Sequence, residues 1–310
     1  MKIQPRCTVC LFQRALNQIK LATEDTQLQF KVLKEIVRLF ADELNENAIS
    51  AVLGTKRDRI IRRLTNCPDP YKEHKIKSNE IALEMMSNLI ATLEQESDAY
   101  KRFRFTMLAS IVGNILEFDI LEHSMDLDDP NILKNLLISA EQDLVVDQIE
   151  EIFLLARSVQ EVLFLTDNAG EIVFDRLLIQ EMLNLGIQVI VAVKASPVLN
   201  DATLEDAKVA GLICIAESNP MLRIITTGTD HVGLLLDDIS DPFRTIFGKA
   251  PFIIAKGMGY YETLADRTLP QPVAYLFRTK CSTVAEDLGV PLNKNLALLQ
   301  NPVDSAPNKI

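Results

Sequence analysis

The 310-residue chain is short of several things, and each shortage removes a class of function. No apolar run reaches the ~18 residues that would carry a helix across a bilayer. The N-terminal MKIQPRCTVCLFQRAL lacks the long apolar core of a secretory leader. Five unevenly spaced cysteines do not make a disulfide framework in a chain this long, so a reducing cytoplasm is the expected setting. Positive charge is scarce too: 32 Lys and Arg against 43 Asp and Glu give a net charge of −11. That balance argues against nucleic acid and other polyanions as partners, because nothing offsets repulsion from a phosphate backbone. Small anions remain open, since a metal or a lysine reverses the field within one cleft. Low-complexity tracts and sustained Pro/Gly/Ser linkers are missing as well. The 48% hydrophobic and 24% charged residues are those of a soluble globular protein of one large or two ordinary domains.

What is present is organised around residues 162–182, VLFLTDNAGEIVFDRLLIQEM. Val162 to Leu165 is a wholly apolar run, the pattern of a buried parallel strand. Thr166, Asp167, Asn168, Ala169 and Gly170 suit a tight turn, and from Glu171 the apolar residues fall at helical spacing. Strand, polar turn and helix in succession place Asp167 and Asn168 beyond the carboxyl end of a strand, where open α/β sheets bind ligands. A carboxylate beside a carboxamide suits a hard cation such as magnesium, manganese or calcium. The competing role for either residue is to cap the following helix.

Residues 8–123 read as helices. Among them are a run from Glu80 to Leu93 and another from Phe105 to Ile120, with a loop at Asn66-Cys67-Pro68-Asp69-Pro70-Tyr71. Cys7 and Cys10 form a CxxC. Cys67 and His74 could complete a zinc site, but that spacing fits no standard finger, and two buried thiols one helical turn apart is the competing reading. Gly113 precedes Asn114 inside an apolar helix, where glycine costs about 1 kcal/mol against alanine, so close packing or ligand approach is expected there. The acidic stretch 124–148 crosses to a second half in which strand-like runs recur at 162–165, 189–193, 212–215, 234–236, 252–255 and 273–277. Helical stretches near 171–185, 201–210, 240–248 and 282–288 separate several of them. Alternation of this kind indicates a parallel sheet with helices on both faces.

Three strand ends then carry chemistry. The first holds Asp167 and Asn168. The second, after IQVIVAVK, holds Asp201, which competes for the role of N-cap of a helix starting near Ala202. The third runs from Phe252-Ile253-Ile254-Ala255 into Lys256-Gly257-Met258-Gly259, a turn whose glycines and lysine suit a phosphate, although it is neither a Walker A loop nor a dinucleotide fingerprint. Arg278 and Lys280 follow the last of these strands on the same edge. Acidic oxygen ligands facing a lysine-glycine turn suit phosphate-ester hydrolysis.

Over nearly its whole length the chain resembles the metal-dependent damage-control phosphatases, long catalogued as a domain of unknown function. The resemblance rests on Cys7 and Cys10, Asp69-Pro70-Tyr71-Lys72, Gly113-Asn114, Asp167-Asn168-Ala169-Gly170-Glu171 with Asp175, Asn200-Asp201-Ala202-Thr203, and Lys256-Gly257 with Tyr261-Glu262-Thr263-Leu264, in that order. It points to the family's prokaryotic, CxxC-bearing branch. It implies an all-helical N-terminal domain (1–123), a helical crossover (124–155) and a Rossmann-like three-layer α/β/α domain (156–310). It implies a divalent metal, magnesium or manganese with cobalt or nickel as further candidates, on Asp167, Asn168 and Asp201. Asp167, Glu171 and Lys256 are then the catalytic candidates, and Asn114, Lys256, Gly257, Gly259 and Lys280 the substrate-binding ones. The implied substrate is a small phosphorylated metabolite, sugar-phosphate-like or damaged. An asparagine usually stands where this chain has Tyr260, an aspartate where it has Glu117, and a glycine is commoner where it has Asp119. Two alternatives stand beside the phosphatase. One is a methyltransferase with a nucleoside cofactor, against which Asp167-Asn168-Ala169-Gly170 replaces the expected GxG loop. The other is a non-catalytic metal- or ligand-binding module.

Overall fold

The structure, a computed structural model, describes residues 1–113 and 132–302. Asn114, Glu117 and Asp119 lie outside the described residues. Seven strands, β1 (Leu144–Asp147), β2 (Glu161–Leu165), β3 (Gln188–Val193), β4 (Leu222–Thr226), β5 (Ile253–Lys256), β6 (Val273–Arg278) and β7 (Asn295–Gln300), form one sheet. Their order is β1-β7-β6-β5-β2-β3-β4, and chain order reverses between β2 and β5. Every neighbouring pair is parallel except β6 and β7. That exception follows from a connection that returns to the end it left: Thr279 N–H donates to the Lys294 carbonyl at 2.8 Å and Asn293 N–H to the Thr279 carbonyl at 2.7 Å.

Period-2 alternation sorts the strand residues between two layers of helices. Val162, Phe164, Val191 and Ile254 face one core, and Leu163, Leu165, Ile190 and Ala255 face the other. The first core is closed by α4 (Lys72–Glu94), α5 (Ala99–Gly113) and α8 (Glu171–Asn184); α6 (Ile132–Gln142) and α7 (Ile149–Ser158) belong to the same side. The second is closed by α11 (Asp241–Lys249), α12 (Met258–Leu264) and α13 (Ser282–Leu288). α8 lies under α4 and α5, so it is buried on nearly every face, including the acids Glu171, Asp175 and Glu181. A Cβ on Gly113 would stand 3.0 Å from a Phe174 ring carbon and 3.1 Å from the Glu171 Cα, so close packing of α5 on α8 accounts for that glycine.

The N-terminal α1 (Cys7–Ala22), α2 (Thr26–Glu43) and α3 (Ser50–Thr65) hold a separate core of Leu11, Ile19, Ile36, Phe40 and Ile61. α4 and α5 share the core of the sheet instead. Asp25 caps α2 by accepting from Gln27 N–H at 2.8 Å.

Two strand expectations fail. Residues 212–215 belong to helix α10 (Leu212–Ser218), because a short apolar run cannot by itself tell a buried helix from a strand. Residues 234–236 lie in an irregular loop, with Leu234 N–H bonded to the Thr263 hydroxyl at 3.0 Å rather than to a ladder. Three strands lie outside the runs read from sequence: β4 is a half-exposed edge, β1 lies inside the span read as a helical crossover, and β7 follows the last run and returns antiparallel to β6.

Candidate active site

The loops after β2 and β3 run side by side. Ala202 N–H donates to the Asp167 carbonyl at 2.7 Å and Ala169 N–H to the Asn200 carbonyl at 2.9 Å. Asn168 and Asp201 form an isolated antiparallel bridge between them. Because β2 lies between β3 and β5 in the sheet, the turn after β5 opens onto the same crevice, at the point where strand order reverses. The capping roles fall away. α8 has Gly170 at its N-cap with no side-chain cap, and α9 (Leu204–Val209) is capped by a box of Thr203 and Asp206. Asp167, Asn168 and Asp201 are therefore brought together without serving as caps.

Gly257 closes the crevice. Its φ is +83°, and a Cβ there would fall 1.9 Å from Asp167 Oδ2. Asn168 Nδ2 donates to Asp167 Oδ2 at 2.9 Å and to Glu171 Oε2 at 3.1 Å, which fixes the amide with its nitrogen toward the acids. Lys256 is fully buried and reaches away from solvent. Its Nζ donates to Glu171 Oε1, to Asp175 Oδ1 at 2.9 Å and to the Ser110 carbonyl at 3.0 Å. Burial lowers the pKa of this ammonium, yet Asp175 and Glu171 outweigh it, and the net shift is upward. Asp175 is itself pushed up to about 6, by burial first, with Lys256 opposing. Its Oδ1 also accepts the Ser110 hydroxyl at 2.6 Å, while its buried Oδ2 has no partner among the described residues.

A second buried lysine escaped the sequence reading. Lys194 directly follows β3 and is 1% exposed; its Nζ donates to the His231 carbonyl at 2.8 Å and the Gly233 carbonyl at 2.6 Å. It also stands 3.5 Å from Asp201 Oδ2. Burial pushes the Asp201 carboxyl up to about 6, against the pull of Lys194 and Lys75. A signal was available: IVAVK and IIAK are both apolar runs ending in lysine, and a charge terminating a buried strand has to be paired.

The remaining candidates are placed differently. A Cβ on Gly259 would meet the Gly233 backbone nitrogen at 3.1 Å, so this glycine packs against the 229–238 loop. Lys280 is half-buried beside α12, its N–H 3.4 Å from Met258 Sδ. Asn79 of α4 was missed altogether; it accepts from Gly170 N–H at 2.7 Å and donates to Asp206 at 2.8 Å, pinning the turn that carries Asp167. Beside that turn, a cleft of about 440 Å³ runs between Lys72, Lys75 and Asn79 on one wall and Ser196, Pro197 and Thr203 on the other.

The donors suit a hard divalent cation: two carboxylates and a carboxamide whose nitrogen is turned toward the acids. Among the described residues, no three His, Cys, Asp or Glu side chains gather as a metal cluster, so Asn168 is needed to complete the set, and Cys67 and His74 do not complete a zinc site with the CxxC. Cys7 is buried against the Thr283 hydroxyl at 3.4 Å, but Cys10 is exposed, so the expectation of two buried thiols holds for Cys7 alone.

Comparison with known proteins extends these observations. Residues 3–296 match the family model described as the damage-control phosphatase ARMT1-like domain. An uncharacterized protein of Methanocaldococcus jannaschii is 34% identical over 302 residues, covering 96% of this chain and 95% of its own. A damage-control phosphatase of Archaeoglobus fulgidus is 32% identical over 298 residues, covering 96% and 99%. The crystal structure of a protein of the same former unknown-function family from Pyrococcus horikoshii superposes with a TM-score of 0.83 at 30% identity, covering 96% of this chain and 99% of that one.

Proposed function

The chain belongs to the damage-control phosphatase ARMT1-like family, and from that premise we propose that it is a metal-dependent phosphatase acting on phosphate esters of small, sugar-phosphate-like or damaged, metabolites. Family membership supports the phosphatase role. The metal and substrate class rest on the crevice, and the observation that carries them is the pairing of the two strand-end loops that sets Asp167, Asn168 and Asp201 side by side. Magnesium or manganese held by these three side chains would supply Lewis-acid polarisation of a phosphoryl oxygen.

The chain's own residues do the rest. Gly257, lacking a side chain, lets the backbone approach the Asp167 carboxylate. Glu171 stands beside the crevice as the candidate proton-handling group, and Lys256 and Asn168 each donate to one of its oxygens and so fix its position. Lys256 thus works on the acids rather than on the ester itself. The cleft alongside offers the alcohol portion of an ester both hydrogen-bonding groups and apolar surface.

The test is phosphate release from a panel of sugar phosphates and an aryl phosphate with magnesium, manganese, cobalt or nickel, beside Asp167→Ala and Asp201→Ala. Turnover that requires metal and is lost in both variants supports the reading. No turnover with any metal, from protein shown to be folded, removes it.

A further inference from the structure

Three loops of the crevice converge on one ammonium. Lys194 N–H donates to the Ala202 carbonyl at 2.9 Å, and Lys194 pairs with Thr203 in an isolated bridge, so the 195–202 loop carrying Asp201 closes back onto Lys194. From there its side chain runs inward to the His231 and Gly233 carbonyls of the loop after β4. That loop is held in turn by α3, through Val232 N–H to the Thr55 hydroxyl at 2.9 Å, and by salt bridges from Arg59 and Arg62 to Asp230. From α12 the Tyr260 hydroxyl stands 3.4 Å from Nζ, with the ammonium 4.7 Å from the ring centre.

Of these partners Asp201 alone carries a formal charge. Lys194 faces its Oδ2 at 3.5 Å. A fixed positive charge this close to a ligand oxygen, in a site largely shielded from water, opposes any further cation there. It also stabilises the acid cluster when no cation is bound.

We propose that Lys194 sets the affinity of the crevice for its divalent cation, by placing a fixed positive charge against Asp201. The inference rests on the metal reading given above. It makes Lys194 a positioning residue that acts through Asp201, with no contact to the ester. Its consequence is a cation bound weakly enough to exchange.

The test is calorimetric titration of the metal-free protein with Mn²⁺, together with melting curves at zero and saturating Mn²⁺. Lys194→Gln keeps an amide to donate to the two carbonyls but removes the charge, while Lys194→Arg keeps the charge. Lys194→Gln is expected to bind Mn²⁺ at least tenfold more tightly than wild type, to melt lower without metal, and to show a larger metal-induced rise in Tm. Lys194→Arg is expected to bind within about threefold of wild type. Weaker or unchanged binding by folded Lys194→Gln overturns the inference and leaves the metal reading standing, because a lysine that merely props the loops would lower affinity when lost. Should Lys194→Gln not fold, Lys194→Met carries the same expectation, and failure of both to fold even in saturating Mn²⁺ also overturns it. If wild type takes up no Mn²⁺, the metal reading itself is refuted, and this inference with it.

Discussion

Gly257 lies against the carboxylate of Asp167: a Cβ built on its backbone would stand 1.9 Å from Oδ2 and 2.2 Å from Cγ. Its φ of 83° and ψ of 162° are also conformations that only glycine adopts readily. Any side chain here is strained and drives Asp167 out of the crevice. Gly257→Ala is expected to lower stability by about 1–3 kcal/mol and turnover by more than about a hundredfold. Urea denaturation and phosphate release measure the two effects, and a variant that keeps wild-type turnover would show that the Asp167 position does not matter.

Lys256 offers a sharper contrast. Were it a solvent-facing phosphate ligand, its removal would leave stability nearly unchanged. Buried between Glu171 and Asp175, it takes away, when lost, the ammonium that both carboxylates face. Lys256→Met is therefore expected to cost about 3–5 kcal/mol, read from denaturant midpoints at pH 7.5. A loss under about 1 kcal/mol would return Lys256 to a solvent-facing role.

How far this was legible follows from what each residue's role depends on. The placement of Asp167, Asn168 and Asp201 in neighbouring loops could be read because strand ends announce themselves where an apolar run meets a polar turn. Strands of the sheet's middle were readable for the same reason, being continuous apolar runs such as 162–165 and 189–193. Edge strand β4, LRIIT with an arginine at its second position, lacks that pattern, and a helix such as α10 can imitate it. Lys256 was visible as a residue but not as a side-chain direction. Its turn inward toward Ser110 and Asp175 depends on α5 and α8, far away in sequence. Asn79 and Lys194 belong with it, since their partners lie 91 and 127 residues away for the one and 37 and 39 for the other.

Asp175 gives a prediction with a sign. Its pKa in the folded chain is about 6, raised from 3.8 by burial first. The folded protein thus holds this proton more tightly than the unfolded chain. The associated stability is fully present below about pH 4 and is lost as pH rises through about 6. Asp175→Asn cannot ionise and keeps an acceptor for Ser110 and Lys256. Above pH 7 the variant should exceed wild type by on the order of 2–3 kcal/mol, with the gap closing toward pH 4. Thermal melts across that range decide it, and a gap independent of pH would mean that Asp175 does not titrate within it.

Asn79 connects the helical layer to the crevice by two hydrogen bonds, one to each strand-end loop. Its Oδ1 accepts from Gly170 N–H, which follows Asp167 by three residues, and its Nδ2 donates to Asp206, which closes the cap after Asp201. The residue is 3% exposed, so water cannot replace either bond cheaply. Asn79→Ala leaves a buried N–H and a buried carboxylate short of one partner each, at about 2–4 kcal/mol together. Asn79→Asp keeps the acceptor for Gly170 but sets a second carboxylate against Asp206, so it should also lose stability. Because both bonds act on the turns that carry Asp167 and Asp201, turnover should fall in Asn79→Ala at substrate saturation, in kcat more than in KM. An unchanged kcat with lowered stability would reduce Asn79 to a packing residue. A lowered kcat would show that α4 holds the geometry of the acids from outside the sheet.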